Sequence, residues 1–304
     1  MRPLSTKAVE QDWPALPLEE WEDTYHTLHM WAQIVGKVRL VLTPRLNHWW
    51  NTALYVNTRG LTTSPIPYKG RAFELQFDFI DHRLQLKTSD RGESVLSLSP
   101  KSVAAFYREL LSALHAVGID VQINPKPQEV PNPIPFDQDE THTSYNPEYA
   151  NCLWRILLSI DLVFQEFRAR FLGKTSPVHF FWGSFDLCCT RFNGRRAAAR
   201  NGIINSEAYS HECSSLGWWP GGGDIKGAAF YAYMAPAPVG YGQSAVKPEA
   251  AIYQSKLGEF LLMYDDVRRA KSPDAEILAF AQSTYEAGAN LAGWDREALE
   301  KKAS

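Results

Sequence analysis

The chain carries one order of local patterns twice, and this recurrence limits the possible folds more than any other feature. In each half, a predicted helix ending in Gly-Lys precedes a predicted strand that starts with histidine and aromatic residues and closes on Thr-Arg. Three more predicted strands and a helix ending in glycine follow in both halves. The shared positions are His48 and His179 at the strand starts, and Thr58-Arg59 and Thr190-Arg191 at the strand ends. The pattern predicts two copies of an α-β-β-β-β-α unit.

This organisation predicts an α+β fold in which two pseudo-symmetric α-β-β-β-β-α repeats form a largely antiparallel sheet with helices packed on one face. The predicted parts are an N-terminal lead over residues 1–20, a first repeat over 21–123, a Pro-rich linker over 124–146 and a second repeat over 147–304. Proline removes backbone donors, so the linker is expected to be extended. The open sheet face or the groove between the halves is the natural place for a ligand.

Local signals set the expected element boundaries. The first helix is expected to stop at Gly36, before a strand in the string VRLVLT, and the helix that ends at Gly118 is expected to begin after an N-cap Ser99. The strand that starts at His179 is expected to run without a break through to Arg191.

Composition excludes several classes of protein. A chain of 304 residues that is 45% hydrophobic can bury a large core, and a net charge of −3 gives no electrostatic footprint for nucleic acid. The chain has neither a signal-peptide core nor an apolar run long enough to span a bilayer, so a cytoplasmic protein without a membrane partner is expected. Four cysteines without a Cys-x-x-Cys spacing argue against a disulfide framework and a structural zinc site.

Three histidines are candidate metal ligands. His48, His179 and His211 each lie in an aromatic-rich predicted strand, where an imidazole must be hydrogen-bonded or ligated. Together they could hold a divalent metal ion, with Glu212 as a neighbouring base. The alternative is that each imidazole bonds a backbone carbonyl. His26 and His29, three residues apart on the first helix, are expected to be half-exposed.

A carboxylate lies inside the strand that begins at His179. Burying Asp186 without a partner is costly, and Arg59 or Arg191 could form a structural ion pair with it, although alternation puts Arg191 on the opposite side of the strand. An acid–base role is the alternative. Ser184, Asp186 and the neighbouring Trp182 are not shared with the first repeat, which makes them the sharper functional candidates.

The leading hypothesis is an enzyme that acts on a small polar or aromatic molecule in a cleft between the halves, with metal assistance as an option. The alternative is a non-catalytic small-molecule-binding or protein-interaction protein with structural histidines. The candidate catalytic residues are His179, Asp186, His211 and Glu212; the candidate metal ligands are His48, His179 and His211; the candidate substrate-binding residues are Trp50, Arg59, Trp182, Arg191, Trp218 and Trp219.

Several long strings resemble one family in the same order over nearly the whole chain. They include WPALPLEEWEDTYHTLHMWAQIVGK, LNHWWNTALYVNTRGLTTSPIPY, FELQFDFIDH, SPVHFFWGSFDLCCTRFNGRR and EAYSHECSSLGWWPGG. The family is a bacterial one catalogued as domain of unknown function 5996. The resemblance implies a bacterial cytoplasmic protein and assigns no activity, cofactor or catalytic residue. Cys188 and Cys189 stand where other small or apolar residues are expected in that family.

Overall fold

A computed structural model describes residues 13–301 of the chain. Within them lie seven α-helices and two antiparallel sheets of six strands each, which confirms the α+β class. The expectation of a single sheet is wrong, because the strands pair within two separate sheets. Among the helices of this range, none combines the length and apolar character needed to cross a bilayer.

The helices and strands have the following bounds. The helices are α1 (Leu18–Leu42), α2 (Val103–Ala116), α3 (Pro147–Ala169), α4 (Ile203–Ala208), α5 (Tyr264–Arg268), α6 (Pro273–Leu291) and α7 (Arg296–Leu299). The strands are β1 (Tyr55–Val56), β2 (Gly60–Thr62), β3 (Ile66–Tyr68), β4 (Arg71–Asp78), β5 (Arg83–Thr88), β6 (Glu93–Ser97), β7 (His179–Phe181), β8 (Asp186–Arg196), β9 (His211–Trp219), β10 (Ala229–Ala235), β11 (Ile252–Gln254) and β12 (Glu259–Met263). Two 3₁₀ turns cover Asn47–Trp49 and Tyr241–Gln243.

The chain divides into two compact units that do not coincide with the predicted halves. The N-unit comprises Glu19–Leu158 and Phe180–Asp186; within the described range, the C-unit comprises residues 13–18, 159–179 and 187–301. Residues 124–146 therefore belong to the N-unit, although they contain no helix or strand. Phe136 and Asp139 in this stretch are fully buried, so it packs as part of the N-unit.

The N-unit sheet has one apolar and one polar face. Its strand order is β1-β2-β4-β5-β6, with β3 paired to β4. Leu75 and Phe77 of β4 pair with Leu86 and Leu84 of β5, and all four are buried. Because side chains alternate along a strand, the neighbouring positions form polar pairs on the other face. These pairs are Glu74 with Lys87, Gln76 with Gln85, and Asp78 with Arg83.

Aromatic rings join the N-unit helices to the apolar sheet face. Trp31 of α1 stacks on Phe106 of α2 with ring centroids 4.7 Å apart, and Phe106 lies parallel to Phe77 of β4 at 6.5 Å. Burial of such large rings provides most of the driving force for packing helices on a sheet.

The second sheet, whose strands β9 to β12 and most of β8 belong to the C-unit, has the order β11-β12-β10-β9-β8-β7. Helix α6 packs on β9 and β10, and Phe164 of α3 contacts Phe230 of β10 with centroids 6.5 Å apart. The face toward these helices carries Leu187, Cys189, Leu216, Trp218, Phe230, Ala232, Met234, Phe260 and Leu262, all buried.

Helix α1 continues through the predicted stop at Gly36 and takes in most of the string expected to form a strand. Gly36 does not terminate the helix. It allows the indole of Trp182 to approach the helix backbone, because a Cβ at this position would lie 2.1 Å from Cδ1 of Trp182. Arg39, in the last turns of α1, donates to the carbonyl of Thr63 in the interior. Tertiary contacts thus outweigh the strand-like alternation of this string.

Three further expectations of local structure are corrected. The N-cap of α2 is Ser102, whose hydroxyl accepts from the backbone N–H of Ala105, and not Ser99. His48 lies in a 3₁₀ turn with a left-handed φ of 56°, and not in a strand. The strand from His179 breaks after Phe181 and restarts at Asp186, so its side chains do not alternate continuously.

Candidate functional site

The turn between β7 and β8, residues 182–186, is anchored by the indole of Trp182. Its Nε1 donates to the carbonyl of Thr52 at 2.8 Å, and its ring fills the space above Gly36. Phe185 adopts a left-handed φ of 58°, which turns the chain into β8. Trp182 is buried, so it holds the turn in place and does not wall an open cleft as expected.

Asp186, at the start of β8, is buried and hydrogen-bonded. The residue is 6% exposed, and Oδ1 accepts from the hydroxyl of Ser184, an exposed residue. The buried carboxylate of Asp186 can therefore accept a proton from the hydroxyl of Ser184, which solvent can reach. This is the strongest chemical feature among the residues that the sequence singled out.

Arg59, one of the expected partners of Asp186, forms ion pairs elsewhere in the N-unit. Its Nε lies 2.7 Å from Oδ2 of Asp78, and its Nη2 lies 2.7 Å from Oδ2 of Asp81. Arg83 contacts the same two carboxylates. Arg59 is thus part of a four-residue ion-pair network on the polar face of the sheet.

A second carboxyl, Glu129, lies against the 182–186 turn. A Cβ on Gly183 would be 2.9 Å from Oε1 of Glu129, so glycine at position 183 allows this approach. Glu129 has a left-handed φ of 56°, a conformation that non-glycine residues rarely adopt. The residue as a whole is exposed, but desolvation of its carboxyl against the turn, and then the neighbouring charge of Asp186, raise the pKa of Glu129 above its ordinary value. Two carboxyl groups in unequal surroundings therefore interact at this turn.

Aromatic and imidazole rings form the floor beneath the turn. His29 Nε2 lies 2.9 Å from the carbonyl oxygen of Gly183, and the ring of Tyr25 stacks parallel to that of His29 at 6.0 Å. Phe185 lies 5.1 Å from Tyr25 and 5.2 Å from His29, measured between ring centroids. We call Tyr25, His29, Glu129, Ser184 and Asp186 the Asp186 cluster.

Burial keeps the side chains of His29 and Tyr25 beneath the turn uncharged. Burial lowers the pKa of His29 to about 4, so its imidazole is uncharged at pH 7. Burial, followed by the charges of Asp186 and Glu22, raises the pKa of Tyr25 above its ordinary value. His29 is buried and not half-exposed as expected, whereas His26 remains partly exposed.

Replacing Gly183 with alanine is expected to displace the Glu129 carboxyl at little cost in stability. The new methyl group would meet the end of a flexible side chain, so the free energy of unfolding should change by less than about 1 kcal/mol. The pKa of Glu129 should fall toward that of an ordinary glutamate, measured by carbon-13 NMR. Gly227→Ala is the control, since a Cβ there meets only Met263 Cε, at 3.7 Å. An unchanged Glu129 titration in Gly183→Ala would contradict this geometry.

Lys37 ties residues 124–136 to helix α1. Its buried Nζ donates to the carbonyl of Lys126 at 2.6 Å and lies 5.5 Å from the ring centroid of Phe136. Burial lowers the pKa of Lys37 to about 8, because no carboxylate offsets the lost hydration. Keeping the Lys37 ammonium group charged in the folded protein therefore costs free energy at neutral pH.

The pH dependence of stability should reveal this cost. Between pH 8 and about 10.4, the usual lysine pKa, the unfolded chain binds more protons at this residue than the folded one, so stability rises with pH. Between pH 7 and pH 10, the free energy of unfolding of the wild type should rise relative to that of Lys37→Met by about 1–3 kcal/mol, measured by denaturant unfolding. A difference between the two proteins that is the same at both pH values would contradict the prediction.

In the C-unit, His211 and Glu212 make separate contacts. Nδ1 of His211 lies 3.0 Å from the hydroxyl of Ser210. Oε2 of Glu212 accepts from Nδ2 of Asn193 at 2.6 Å and lies 3.0 Å from Nη2 of Arg195. As adjacent residues of β9, the two side chains point to opposite faces of the sheet, so they do not form the ligand-and-base pair expected from the sequence.

Arg191 is enclosed by aromatic rings. Its guanidinium carbon lies 3.5 Å from the ring centroid of Phe167, 4.5 Å from that of Tyr285 and 4.9 Å from that of Phe171. Nη2 donates to the carbonyl of Phe167 at 2.5 Å. Burial lowers the pKa of Arg191 to about 10. With 1% of the residue exposed, it has no surface for a substrate anion, and the expected anion-binding role is replaced by a structural one.

The remaining tryptophans differ in exposure. Trp218 has 0% exposure and contacts Tyr264 edge to face, so it belongs to the core and does not wall a cleft. Trp219 is half-buried on the opposite sheet face, where its ring meets that of Tyr231 at 6.0 Å. Trp50 is also half-buried, with its ring 5.2 Å from that of His48.

The histidines expected to bind metal are not grouped as ligands. Across residues 13–301, no three His, Cys, Asp or Glu side chains are placed so that they could hold a metal ion. His48, His179 and His211 thus form no such set in this structure. His48 and His179 are both buried.

Sequence reasoning selected Ser184 and Asp186 but missed Tyr25, His29 and Glu129. Glu129 lies in the Pro-rich stretch that was interpreted as a linker, and no local pattern relates it to the 182–186 turn. The positions of Tyr25 and His29, four residues apart on α1, place them on one helix face. The available signal is an aromatic and imidazole pair four residues apart among the buried positions of α1.

Comparison with known proteins identifies the family but no activity. Neither a curated protein nor a solved structure matches the chain. A family model of unknown function matches residues 13–301, which is the whole of the described range. The chain therefore belongs to the family of unknown function DUF5996.

Proposed function

We propose that the protein is an acid–base enzyme that transfers an acyl group from a small polar or aromatic molecule at the Asp186 cluster. The observation that carries the proposal is the hydrogen bond from the exposed Ser184 hydroxyl to the buried Asp186 carboxylate. A nucleophile and a base within hydrogen-bond reach are the basic requirement of such chemistry. The proposed site lies within the N-unit.

Each group would have a defined role. Ser184 Oγ attacks the substrate carbonyl carbon, and its proton passes to Asp186. Glu129, whose pKa is raised, gives a proton to the oxygen of the leaving alcohol as the bond between that oxygen and the carbonyl carbon breaks. Water then attacks the acyl carbon and gives its proton to Glu129, while Asp186 returns its proton to Ser184 Oγ as the bond between the acyl group and Ser184 breaks. Tyr25 and Phe185 supply aromatic surface beside the turn.

Hydrolysis of p-nitrophenyl acetate tests the proposal. The wild-type protein should release p-nitrophenol and gain an acetyl group on Ser184, detected by mass spectrometry. Ser184→Ala should abolish the acetylation, and Asp186→Asn should lower the rate about 100-fold or more. Ser206→Ala is the matched control, because its hydroxyl donates to the carbonyl of Ile203 in the C-unit. Equal rates in the wild type and Ser184→Ala would contradict the proposal.

A non-catalytic binding role is the second candidate, and one sheet face of the C-unit favours it. The rings of Trp219, Tyr231, Tyr233 and Tyr209 follow one another at centroid distances of 6.0, 6.1 and 6.3 Å. The hydroxyl groups of Tyr209 and Tyr233 lie 3.0 Å apart. Aromatic rings with hydroxyl groups at their edges suit a flat ligand with polar substituents.

Binding of a fluorescent naphthalene sulfonate dye would separate this role from the enzymatic one. Tyr233→Ala should reduce dye binding by the C-unit face, and Ser184→Ala should leave it unchanged. Loss of dye binding in Tyr233→Ala without any acetylation of Ser184 in the wild type would favour the binding role.

We further infer that the two units arose from a duplicated α-β-β-β-β-α segment. In support, β2-β4-β5-β6 and β8-β9-β10-β12 are both runs of four neighbouring antiparallel strands, with β3 inserted in the chain after β2 and β11 inserted after β10. Each run follows one long helix, α1 or α3, and precedes another, α2 or α6. Alignment of the two segments across family members should extend over all four strands, and failure of the segments to align would count against the duplication.

A further inference from the structure

Residues 124–136 contain no helix or strand, yet one side chain fixes their backbone to α1. The amide of Gln33 makes two hydrogen bonds with Gln128: Nε2 donates to the carbonyl oxygen, and Oε1 accepts from the backbone N–H, both at 2.8 Å. This pairing resembles what a neighbouring strand would offer. Gln33 is 0% exposed, and Glu129 is the next residue after the one it binds.

The same amide also reaches the floor of the Asp186 cluster. Nε2 of Gln33 lies 3.0 Å from Nε2 of His29, which in turn lies 2.9 Å from the carbonyl oxygen of Gly183. That imidazole nitrogen can donate to Gly183 or accept from Gln33, and its tautomer decides which contact is a hydrogen bond. One buried amide therefore contacts both the segment that carries Glu129 and the histidine beneath the 182–186 turn.

We propose that Gln33 is the positioning residue of the Asp186 cluster, because by fixing the backbone at Gln128 it fixes the Glu129 carboxyl beside Gly183 and Asp186. The functional meaning of this inference rests on the proposed acid–base role of Glu129. Gln33 does not contact the reacting groups and acts through Glu129 and His29. Lys37, the other side chain of α1 bound to this segment, contacts Lys126 and stabilises the segment at its start.

Carbon-13 NMR titration and amide hydrogen exchange of Gln33→Met test the inference. Methionine keeps most of the buried volume but leaves the Gln128 N–H and carbonyl without their partner. The exchange rate of the Gln128 amide should rise at least about 10-fold, and the pKa of Glu129 should return toward about 4.3. Thr27→Val is the matched control. It removes a hydrogen bond of the same helix, from the buried hydroxyl of Thr27 to the carbonyl of Asp23, and this bond does not involve residues 124–136.

A second variant keeps the test valid if Gln33→Met does not fold. Gln33→Asn keeps the amide but shortens it by one methylene, so it cannot reach Gln128 and His29 together; it should show the same two effects in smaller degree. Unchanged exchange at Gln128 and an unchanged Glu129 titration in both variants would overturn the inference. If both readouts move while p-nitrophenyl acetate is not turned over by any form of the protein, the positioning role stands and the proposed acyl transfer fails.

Discussion

Replacement of Asp78 by alanine is expected to lower the free energy of unfolding by about 3 kcal/mol. Asp78 is 0% exposed and accepts from Arg59 Nε at 2.7 Å, from Gln85 Nε2 at 3.0 Å and from the backbone N–H groups of Ile80 and Asp81. Alanine removes the acceptor but leaves these donors in place; Gln85 is itself buried, and an unpaired buried donor costs more than its hydrogen bond contributed. Urea unfolding measures the loss.

The matched control is Asp81→Ala. Its half-exposed carboxylate contacts the same two arginines, but solvent can replace those contacts, so the expected loss is below about 1 kcal/mol. Burial alone would raise the pKa of Asp78, but Arg59 and the backbone N–H groups lower it below its usual value. The contribution of Asp78 should thus be complete above its unfolded pKa of about 3.9 and decline as the pH falls below it. Equal losses in the two variants would contradict the account of a buried acceptor.

Replacement of Trp182 by alanine is expected to cost about 3–5 kcal/mol, the usual range for a large aromatic residue in a core. The change removes the hydrogen bond to Thr52 and leaves a cavity above Gly36. Because the indole anchors the 182–186 turn, the coupling between Glu129 and Asp186 should weaken as well. Thermal unfolding and the Glu129 titration are the two measurements.

A double-mutant cycle makes this prediction sharper. In the wild type, Gly36→Ala places a methyl group 2.1 Å from Trp182 Cδ1 and should destabilise the protein by about 1–3 kcal/mol. In the Trp182→Ala background the same change meets no indole, and the higher helix propensity of alanine should stabilise α1 by up to about 1 kcal/mol. If Gly36→Ala changed the stability in the same direction in both backgrounds, the close approach of the Trp182 indole would not be the reason for glycine at position 36.

The sequence predicts the α+β class of the fold because many elements have a local signal. The alternation along β4 and β5 is visible in the sequence, and so is the apolar spacing of α3 and α6. The errors occur where a distant contact decides local structure. Gly36 looks like a helix end because nothing nearby in the chain indicates Trp182. The strand from His179 looks continuous because its left-handed position is occupied by Phe185 and not by a glycine.

The candidate site could be predicted only in part for the same reason. Burial of a carboxylate in an apolar strand is evident from the sequence, and it singles out Asp186 with its neighbour Ser184. The second carboxyl is not evident, since Glu129 reaches Gly183 through the amide of Gln33 and a left-handed backbone. Arg191 shows the reverse error, because a strand-end arginine gives no sign of the three rings that enclose it.

The central claim is that Glu129 and Asp186 form a coupled pair of carboxyl groups, and a carbon-13 NMR titration of Glu129 in the wild type and in Asp186→Asn tests it most directly. The account predicts a Glu129 pKa above about 4.3 in the wild type and a lower value in Asp186→Asn, since removal of the neighbouring charge eases ionisation. A Glu129 that titrates at the ordinary value in both proteins would contradict the account.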